Sequence, residues 1–512
     1  MSGKNPKSLD FETCDRTFGP LREGGQKIVL CHGVFDLLHP GHLAHLQEAK
    51  AFGDILVVSI TSAPFVNRGP GRPAFSDEMR VYALSALACV DYVLIAPAET
   101  ALEVIARVKP TFYMKGQEYA DAASDVTNNI DREAEEVRKN GGDIRYSGKI
   151  VFSSSKLINQ HLNVMPAEVK DYAVDFVQRF SFETLRESVD AMKNLKVLVI
   201  GDAIVDEFIH SQIQGLTSKG RVISARFIEK EQHLGGSLAI ARHVANFAGK
   251  VSIATAFGGE EDIRKLLTEK MPPVDLDLLV QGDGATIIKR RYIEKMGRRE
   301  EYSKVFACNY IDEDCLSAVQ REDFLSKLEA ILPEFDLVIA TDFGHGLLDA
   351  RTMDLLQDKA PFLAINVQTN SANFGFNLIS KYRRADVFCL DEQELRLAFS
   401  DRKGDPAPLL RKLSARLGAK AGWLTLGSAG SLGLDADEEH STPALTLHVK
   451  DTTGAGDAFL ALASLGARLR LPLPLSSVLG NLAAALTANV LGNAEPVGKP
   501  QLLKFAETVL KH

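Results

Sequence analysis

The sequence predicts two α/β domains in tandem, each built on a doubly wound, mainly parallel β-sheet. Three observations carry that expectation. Two short apolar runs, Lys27-Ile-Val-Leu-Cys31 and Lys196-Val-Leu-Val-Ile200, each lead straight into a glycine-bearing turn. After each of them, β-branched runs alternate with segments of helical period, which is the pattern of βαβ units. The chain also has 512 residues, and at roughly 100–200 residues per domain this is two to four domains, each with a core of its own.

Taken in order, the first region has strand-like runs near 27–31, 54–60, 91–95, 111–115 and 143–146, with amphipathic segments at Leu43–Phe52 and Asp77–Leu87 between them. Residues 161–190 contain no strand-like run and are expected to be a helical linker. The first domain is therefore expected over residues 24–160 and the second over 191–512. No repeat of solenoid period interrupts either region.

Composition excludes several function classes. The chain is 25% charged and 45% hydrophobic, with 59 basic against 67 acidic residues and a net charge of −8. No basic excess speaks for nucleic-acid binding. The longest apolar runs, such as Asp54–Ile60, fall far short of the roughly 20 residues a membrane helix needs. The opening stretch MSGKNPKSLDFET lacks the apolar core of an export signal. Cys14, Cys31, Cys89, Cys308, Cys315 and Cys389 are scattered without a CxxC pair, as expected of thiols in a reducing cytoplasm.

The first chemical motif follows the first strand: Gly33-Val-Phe-Asp-Leu-Leu-His39-Pro40-Gly41-His42. A helix opening near His42 points free N–H groups and its positive end at any bound anion. Gly33 and Gly41 let main chain and phosphate approach, and two imidazoles add donors to a charged transition state. Such a site needs no covalent nucleophile, because a substrate phosphate can itself attack phosphorus. Beside the two histidines stand Gly33-x-Phe35-Asp36, Gly71-Arg72-Pro73, Arg80, Val90-Asp91-Tyr92-Val93, Lys109-Pro110, Met114-Lys115-Gly116 and Ser153-Ser154-Ser155-Lys156.

With these residues the first region resembles the cytidylyltransferase-like nucleotidyltransferases, in particular the adenylyltransferase half of the bacterial heptose kinase/adenylyltransferases and the glycerol-3-phosphate cytidylyltransferases. The resemblance implies a Rossmann-like domain in which His39 and His42 hold a triphosphate in the transition state. It implies phosphate contacts from Arg80, Ser154 and Ser155, a nucleotide beside Gly33, Phe35, Lys115 and Gly116, and a substrate contact from Asp36. Where that family often reads Gly-Gly-Asp-Tyr after the lysine, this chain reads Gly116-Gln117-Glu118-Tyr119, so ATP and CTP both remain open as the nucleotide.

The second motif is Asp451-Thr452-Thr453-Gly454-Ala455-Gly456-Asp457-Ala458-Phe459. Small residues at 454–456 opening a helix form an anion hole for a transferring phosphoryl group. The carboxylate of Asp457, one residue further on, is placed to take a hydroxyl proton as that oxygen attacks phosphorus. No GxxxxGK[ST] sequence is present, so a P-loop is not the explanation.

Over about residues 194–495 the second region resembles the ribokinase-like carbohydrate kinases. The match runs through Gly201-Asp202-x-x-x-Asp206, Gly235-Gly236, the strand Leu337–Thr341 with Asp342-Phe343-Gly344-His345-Gly346, Thr425-Leu426-Gly427-x-x-Gly430 and Asn481. The resemblance implies acceptor contacts from Asp202, Asp206, Gly235 and Gly236. Thr425, Gly427, Gly430, Gly454, Ala455, Gly456 and Asn481 would lie on the nucleotide side, and Asp391 and Glu394 would act indirectly on Mg²⁺. Segments 210–230 and 286–306 are expected to form a small β lid over the sugar, through which such kinases associate as homo-oligomers. The chain departs from the pattern on the acceptor side: Ser237-Leu238-Ala239 follows the paired glycines, His345 stands for a frequent lysine, and Gln368-Thr369-Asn370 ends a strand that usually closes Asp-Pro-Lys.

Together the two resemblances imply a bifunctional enzyme that phosphorylates a sugar or polyol. It would then join a sugar or polyol phosphate to AMP or CMP, using Mg²⁺ with ATP and, as the alternative, CTP. The domain order is the reverse of the usual heptose enzyme. The competing reading is a nucleotidyltransferase whose kinase-like half only binds a ligand or dimerises.

Overall fold

The structure, a computed structural model, describes residues 6–66, 73–98, 100–116, 129–147, 166–271, 273–296, 301–313, 315–445 and 449–510. It divides into two compact units, one taking the chain up to Ala167 together with Leu503–His512 and the other Glu168–Leu502.

In the first unit the strands are β1 (Ser8–Leu9), β2 (Ile28–Gly33), β3 (Ile55–Thr61), β4 (Tyr92–Ala96), β5 (Phe112–Gly116) and β6 (Asp143–Ser147). Among the described residues they form a parallel six-stranded sheet in the order β1-β4-β3-β2-β5-β6. Alternate residues of each strand enter two separate cores. Ile28, Leu30, Val57, Leu94 and Tyr113 belong to one, and Val29, Cys31, Leu56, Val58 and Met114 to the other. A sheet buried on both faces reads as continuous apolar runs, which is why these strands are legible in the sequence. The order reverses between β2 and β5, so the crevice at their carboxyl ends lies between the turn after Gly33 and the Lys115-Gly116 end of β5.

This unit starts earlier than the expected residue 24. Ser8 and Leu9 pair with Val93 and Leu94, and the helix Cys14–Glu23 buries Cys14 and Phe18 in the core. A two-residue strand is too short to show a period. The expected linker is likewise part of a unit. Helices Ala167–Arg179 and Phe182–Ala191 belong to the second one, where the Tyr172 hydroxyl meets His440 Nε2 at 2.9 Å and Arg179 pairs with Glu438.

The second unit contains a nine-stranded sheet among the described residues. Its strands are β7 (Lys196–Gly201), β10 (Lys250–Phe257), β11 (Asp275–Gln281), β14 (Leu337–Asp342), β15 (Leu363–Val367), β16 (Val387–Asp391), β17 (Ala421–Thr425), β18 (Ser431–Asp435) and β19 (Glu439–Thr442). The order is β11-β10-β7-β14-β15-β16-β17-β18-β19, parallel up to β17 and antiparallel for the last two strands. Here the reversal falls between β7 and β14, whose ends carry Asp202 and Asp342.

Strands β8 (Ala203–Leu216), β9 (Ile223–Gly236), β12 (Ile287–Met296) and β13 (Glu301–Tyr310) make a separate four-stranded sheet in the order β13-β12-β8-β9. This is the lid expected from segments 210–230 and 286–306. Its strands extend further toward the large sheet than expected, with only Asp202 between β7 and β8 and helix Ser237–Ala245 starting directly after β9.

Candidate active sites

In the first unit His39 is the N-cap of helix Pro40–Lys50. Its extended backbone and Pro40 at the first helical position start the helix, and its Nδ1 accepts from the His42 N–H at 3.4 Å. The two imidazoles stack with ring centroids 3.9 Å apart, and the Phe35 ring lies edge-on to His42 at 5.1 Å. Burial lowers the pKa of His39, while burial together with His39 and His45 lowers that of His42 to about 3. The pair is therefore neutral near pH 7 in the free protein, and an anion at the helix start would favour its protonated form.

Lys115, on β5 across the crevice, pairs with Glu133 at 2.8 Å. Glu133 is buried, and it also accepts from the Tyr113 hydroxyl at 3.0 Å and the Ala101 N–H at 3.2 Å. Sequence reasoning missed Glu133, because it lies on helix Asn129–Lys139 and no local pattern ties it to Lys115. It also missed His45, whose Nδ1 lies 2.6 Å from Ser147 Oγ. Replacing Glu133 by glutamine keeps the shape but leaves the Lys115 ammonium, 13% exposed at its side chain, without its anion. We expect this to cost roughly 3 kcal/mol, measurable as a lower urea midpoint of the first unit, with that of the second unit unchanged.

Two of the expected ligand contacts also have partners within the protein. Asp36 accepts from the backbone N–H groups of Ala74 and Phe75 at 2.9 and 3.0 Å, so its carboxylate holds the loop that leads into helix Asp77–Ser85. Arg80 is fully buried and donates to the carbonyls of Val34 and Thr61 and to Asp77. It therefore braces the ends of β2 and β3. Ser154, Ser155, Gly71, Arg72 and the Gln117-Glu118-Tyr119 stretch lie outside the described residues.

In the second unit Gly454 caps helix Ala455–Arg468 at φ 82°, and a Cβ there would fall 1.7 Å from Asn493 Oδ1. Only glycine fits that turn, which starts the helix at Ala455, whose own N–H donates to the Thr452 carbonyl at 3.2 Å. Asp457 follows in the first turn, buried, with Oδ1 accepting from Gln368 Nε2 at 2.9 Å. Burial and the nearby Asp206 raise its pKa to about 7.

The same segment as Gln368 reaches the expected metal residues. Glu394 accepts from the Thr369 N–H at 3.1 Å and the Asp391 N–H at 3.0 Å, while Asp391 caps helix Glu392–Phe399. Burial and Asp391 raise the Glu394 pKa to about 8. Asp391 stands opposite Thr425 across β16 and β17. The turn Gly427–Ala429 and Gly430 close the β17–β18 hairpin, and Asn481 braces it by donating to Ser431 Oγ at 2.7 Å. Asn481 is buried in that bond, so its position supports the hairpin.

On the acceptor side, Asp202 accepts from the N–H groups of His345 and Leu347 at 3.2 and 3.3 Å. Burial and Asp342 raise its pKa to about 6. A small pocket lies beside Asp202, Thr286 and His345. Asp206 on the lid pairs with Arg291. Gly235 lies so close that a Cβ would stand 2.3 Å from Asp206 Oδ2, which makes the first glycine of the pair a clearance for that carboxylate. Gly236, at positive φ, turns the chain into helix Ser237–Ala245. Lys289 was not anticipated. It faces Asp206 in the β12–β8 register, its Nζ lies 5.5 Å from the Phe343 ring centroid, and burial lowers its pKa.

Comparison with known proteins fits this geometry. The pfkB family carbohydrate kinase profile matches residues 194–499. The chain belongs to the pfkB family of carbohydrate kinases. Ahead of this pfkB-family part, residues 30–171 match the cytidylyltransferase-like profile. The bifunctional protein HldE of Helicobacter pylori strain G27 is 43% identical over 121 residues, 23% of this chain and 26% of that protein. The protein of the same name from Syntrophotalea carbinolica is 41% identical over 100 residues, 19% and 20% of the two chains. Both match the cytidylyltransferase-like part, so the chain spans about a quarter or less of the length of these relatives. Phosphofructokinase-2 from Escherichia coli, solved in complex with substrates and products, superposes with a TM-score of 0.50 at 14% identity, over 61% of this chain and 98% of that one. That likeness establishes the fold of the pfkB-family part.

Proposed function

We propose that the chain is a bifunctional enzyme: a kinase that phosphorylates a sugar or polyol and a nucleotidyltransferase that joins a sugar or polyol phosphate to AMP or CMP, releasing pyrophosphate. The observation that carries the kinase reading is Asp457, a buried carboxyl with its pKa raised to about 7, set in the first turn of a helix capped by Gly454. As the acceptor oxygen attacks phosphorus, Asp457 takes its proton and the N–H groups of 454–456 hold the phosphoryl oxygens, Ala455 giving up its bond to the Thr452 carbonyl. Gln368 keeps the carboxylate in place. In the first unit the acceptor phosphate attacks the α-phosphorus, and His39, His42 and the helix start stabilise the charge passed to pyrophosphate.

Asp391 and Glu394 form a hard-oxygen donor set that fits Mg²⁺, and the raised pKa of Glu394 marks a carboxyl cluster that a cation would relieve. Mg²⁺ held there would neutralise charge on the triphosphate. The outer lid face, where Phe306 and Tyr310 are exposed beside Tyr292, supports association of two copies. Among the described residues no helix is long and apolar enough to cross a membrane. With six free cysteines, we take the enzyme to work in the cytoplasm.

The test is a screen of the full chain with ATP and CTP against sugars, polyols and their phosphates, following ADP and pyrophosphate separately. ADP formation at limiting acceptor should rise with pH and level off above about 7, because Asp457 accepts a proton only when ionised. A pH-independent rate between 5 and 8 would remove Asp457 as the base. A second reading has its own observation: Asp202 and Asp206 already have protein partners, as in a kinase-like half that only binds a ligand. Pyrophosphate release without ADP formation from any acceptor would favour it.

A further inference from the structure

The cleft-facing side of the lid continues beyond Asp206 into a cluster that the transfer chemistry does not use. Alternate residues of a strand share a face, so Asp206, Phe208 and His210 of β8 lie on one side, with Glu229, Glu231 and His233 of β9 opposite them. His210 pairs in register with Glu229, Phe208 with Glu231, and Asp206 with His233. His210 is 7% exposed, its ring packed at 82° against Tyr302. Its buried Nε2 makes no hydrogen bond among the described residues, although it lies 3.2 Å from Glu231 Oε1. One ligand atom each of His210, Glu229 and Glu231 lies within 4.8 Å of the other two.

We propose that His210, Glu229 and Glu231 bind one divalent transition-metal ion on the lid. With metal–nitrogen and metal–oxygen bonds of about 2.0–2.2 Å, neighbouring ligands of a tetrahedral centre stand roughly 3.3 Å apart. The separation of His210 Nε2 from Glu231 Oε1 already matches that edge. A buried imidazole nitrogen facing two carboxylates offers a lone pair to a cation, and metal binding satisfies it without a proton. The remaining Glu231 oxygen, Oε2, meets His233 Nε2 at 3.3 Å, the outer support that orients a ligating carboxylate. One nitrogen and two carboxylates suit Zn²⁺ or Mn²⁺ better than Mg²⁺, which takes oxygen ligands and keeps its water. The site is separate from the transfer centre, since His210 is four residues beyond Asp206, about 13 Å along an extended strand. It therefore does not depend on the kinase reading.

The test uses the full chain, stripped with chelator and held in saturating Mg²⁺ so that nucleotide-associated sites stay filled, then titrated calorimetrically with Zn²⁺. One Zn²⁺ per chain should bind, and His210→Ala and Glu231→Gln should each weaken it roughly tenfold or more. His210→Gln is the substitute should the alanine variant not fold. Co²⁺ in place of Zn²⁺ should give visible d–d absorption without a thiolate charge-transfer band. Absence of Zn²⁺ uptake in the presence of Mg²⁺, affinity unchanged in these variants, or a thiolate band from cysteine ligands would each overturn the proposal.

Discussion

Asp457→Asn should lower phosphoryl transfer by roughly 10²–10⁴-fold while leaving nucleotide binding and pyrophosphate release intact. Asparagine keeps the size of the side chain and can turn its amide oxygen to the Gln368 amide, so the hydrogen bond at 2.9 Å survives. What disappears is the group that receives the acceptor proton. The proposed anion hole is main chain, set by Gly454 at φ 82° and by the helix it caps, so the triphosphate should still bind. ADP formation measured against the best wild-type acceptor, with nucleotide affinity measured alongside, reads both halves of the expectation. Turnover within threefold of wild type would show that the proton leaves by another route. An equal loss of nucleotide affinity would point to collapse of the helix start.

His39→Ala and His42→Ala should each reduce pyrophosphate release by roughly 10²–10³-fold, the usual cost of one preorganised donor to a developing charge, with ADP formation unaffected. The stack at 3.9 Å and the His39 cap on the His42 N–H make the two residues one device. The double variant should therefore lose far less than the product of the single losses. His39→Ala also removes the N-cap, typically about 1 kcal/mol, whereas His39→Asn restores a cap without the imidazole. If His39→Asn recovers stability but not pyrophosphate release, the imidazole acts in the chemistry; near-normal release in both alanine variants would remove the site assignment.

How legible these sites were depends on how far apart their parts lie in the chain. The HPGH turn and the Gly454–Asp457 run are local devices, each a strand or loop end that becomes a helix start, and their chemistry is written within ten residues. The central strands were equally plain because both faces are buried. Gln368 orients a carboxylate 89 residues away, and Glu133 holds Lys115 across a helix and a strand. Neither carries a motif, because only the fold brings the partners together. Asp36 has partners just as remote. Its carboxylate, expected at the substrate, accepts from the N–H groups of Ala74 and Phe75, 38 and 39 residues on. Gly235 and Gly236, expected at the substrate, also clear Asp206 and turn the chain into the next helix.

The lid is woven from two separate excursions, 203–236 and 287–310, joined by the parallel pairing of β12 with β8. An engineer wishing to exchange it for the lid of another kinase cannot treat it as a cassette with a single pair of ends. Cutting out only β8 and β9 would strand Lys289 and Arg291 without Asp206, and cutting out only β12 and β13 would remove Lys304 from Asp451. Both excursions must be replaced in register, and the first carries Asp206 and Gly235 with it. On the proposed reading of Asp206 as an acceptor contact, recombination that respects the fold would exchange that contact whenever it exchanged the lid.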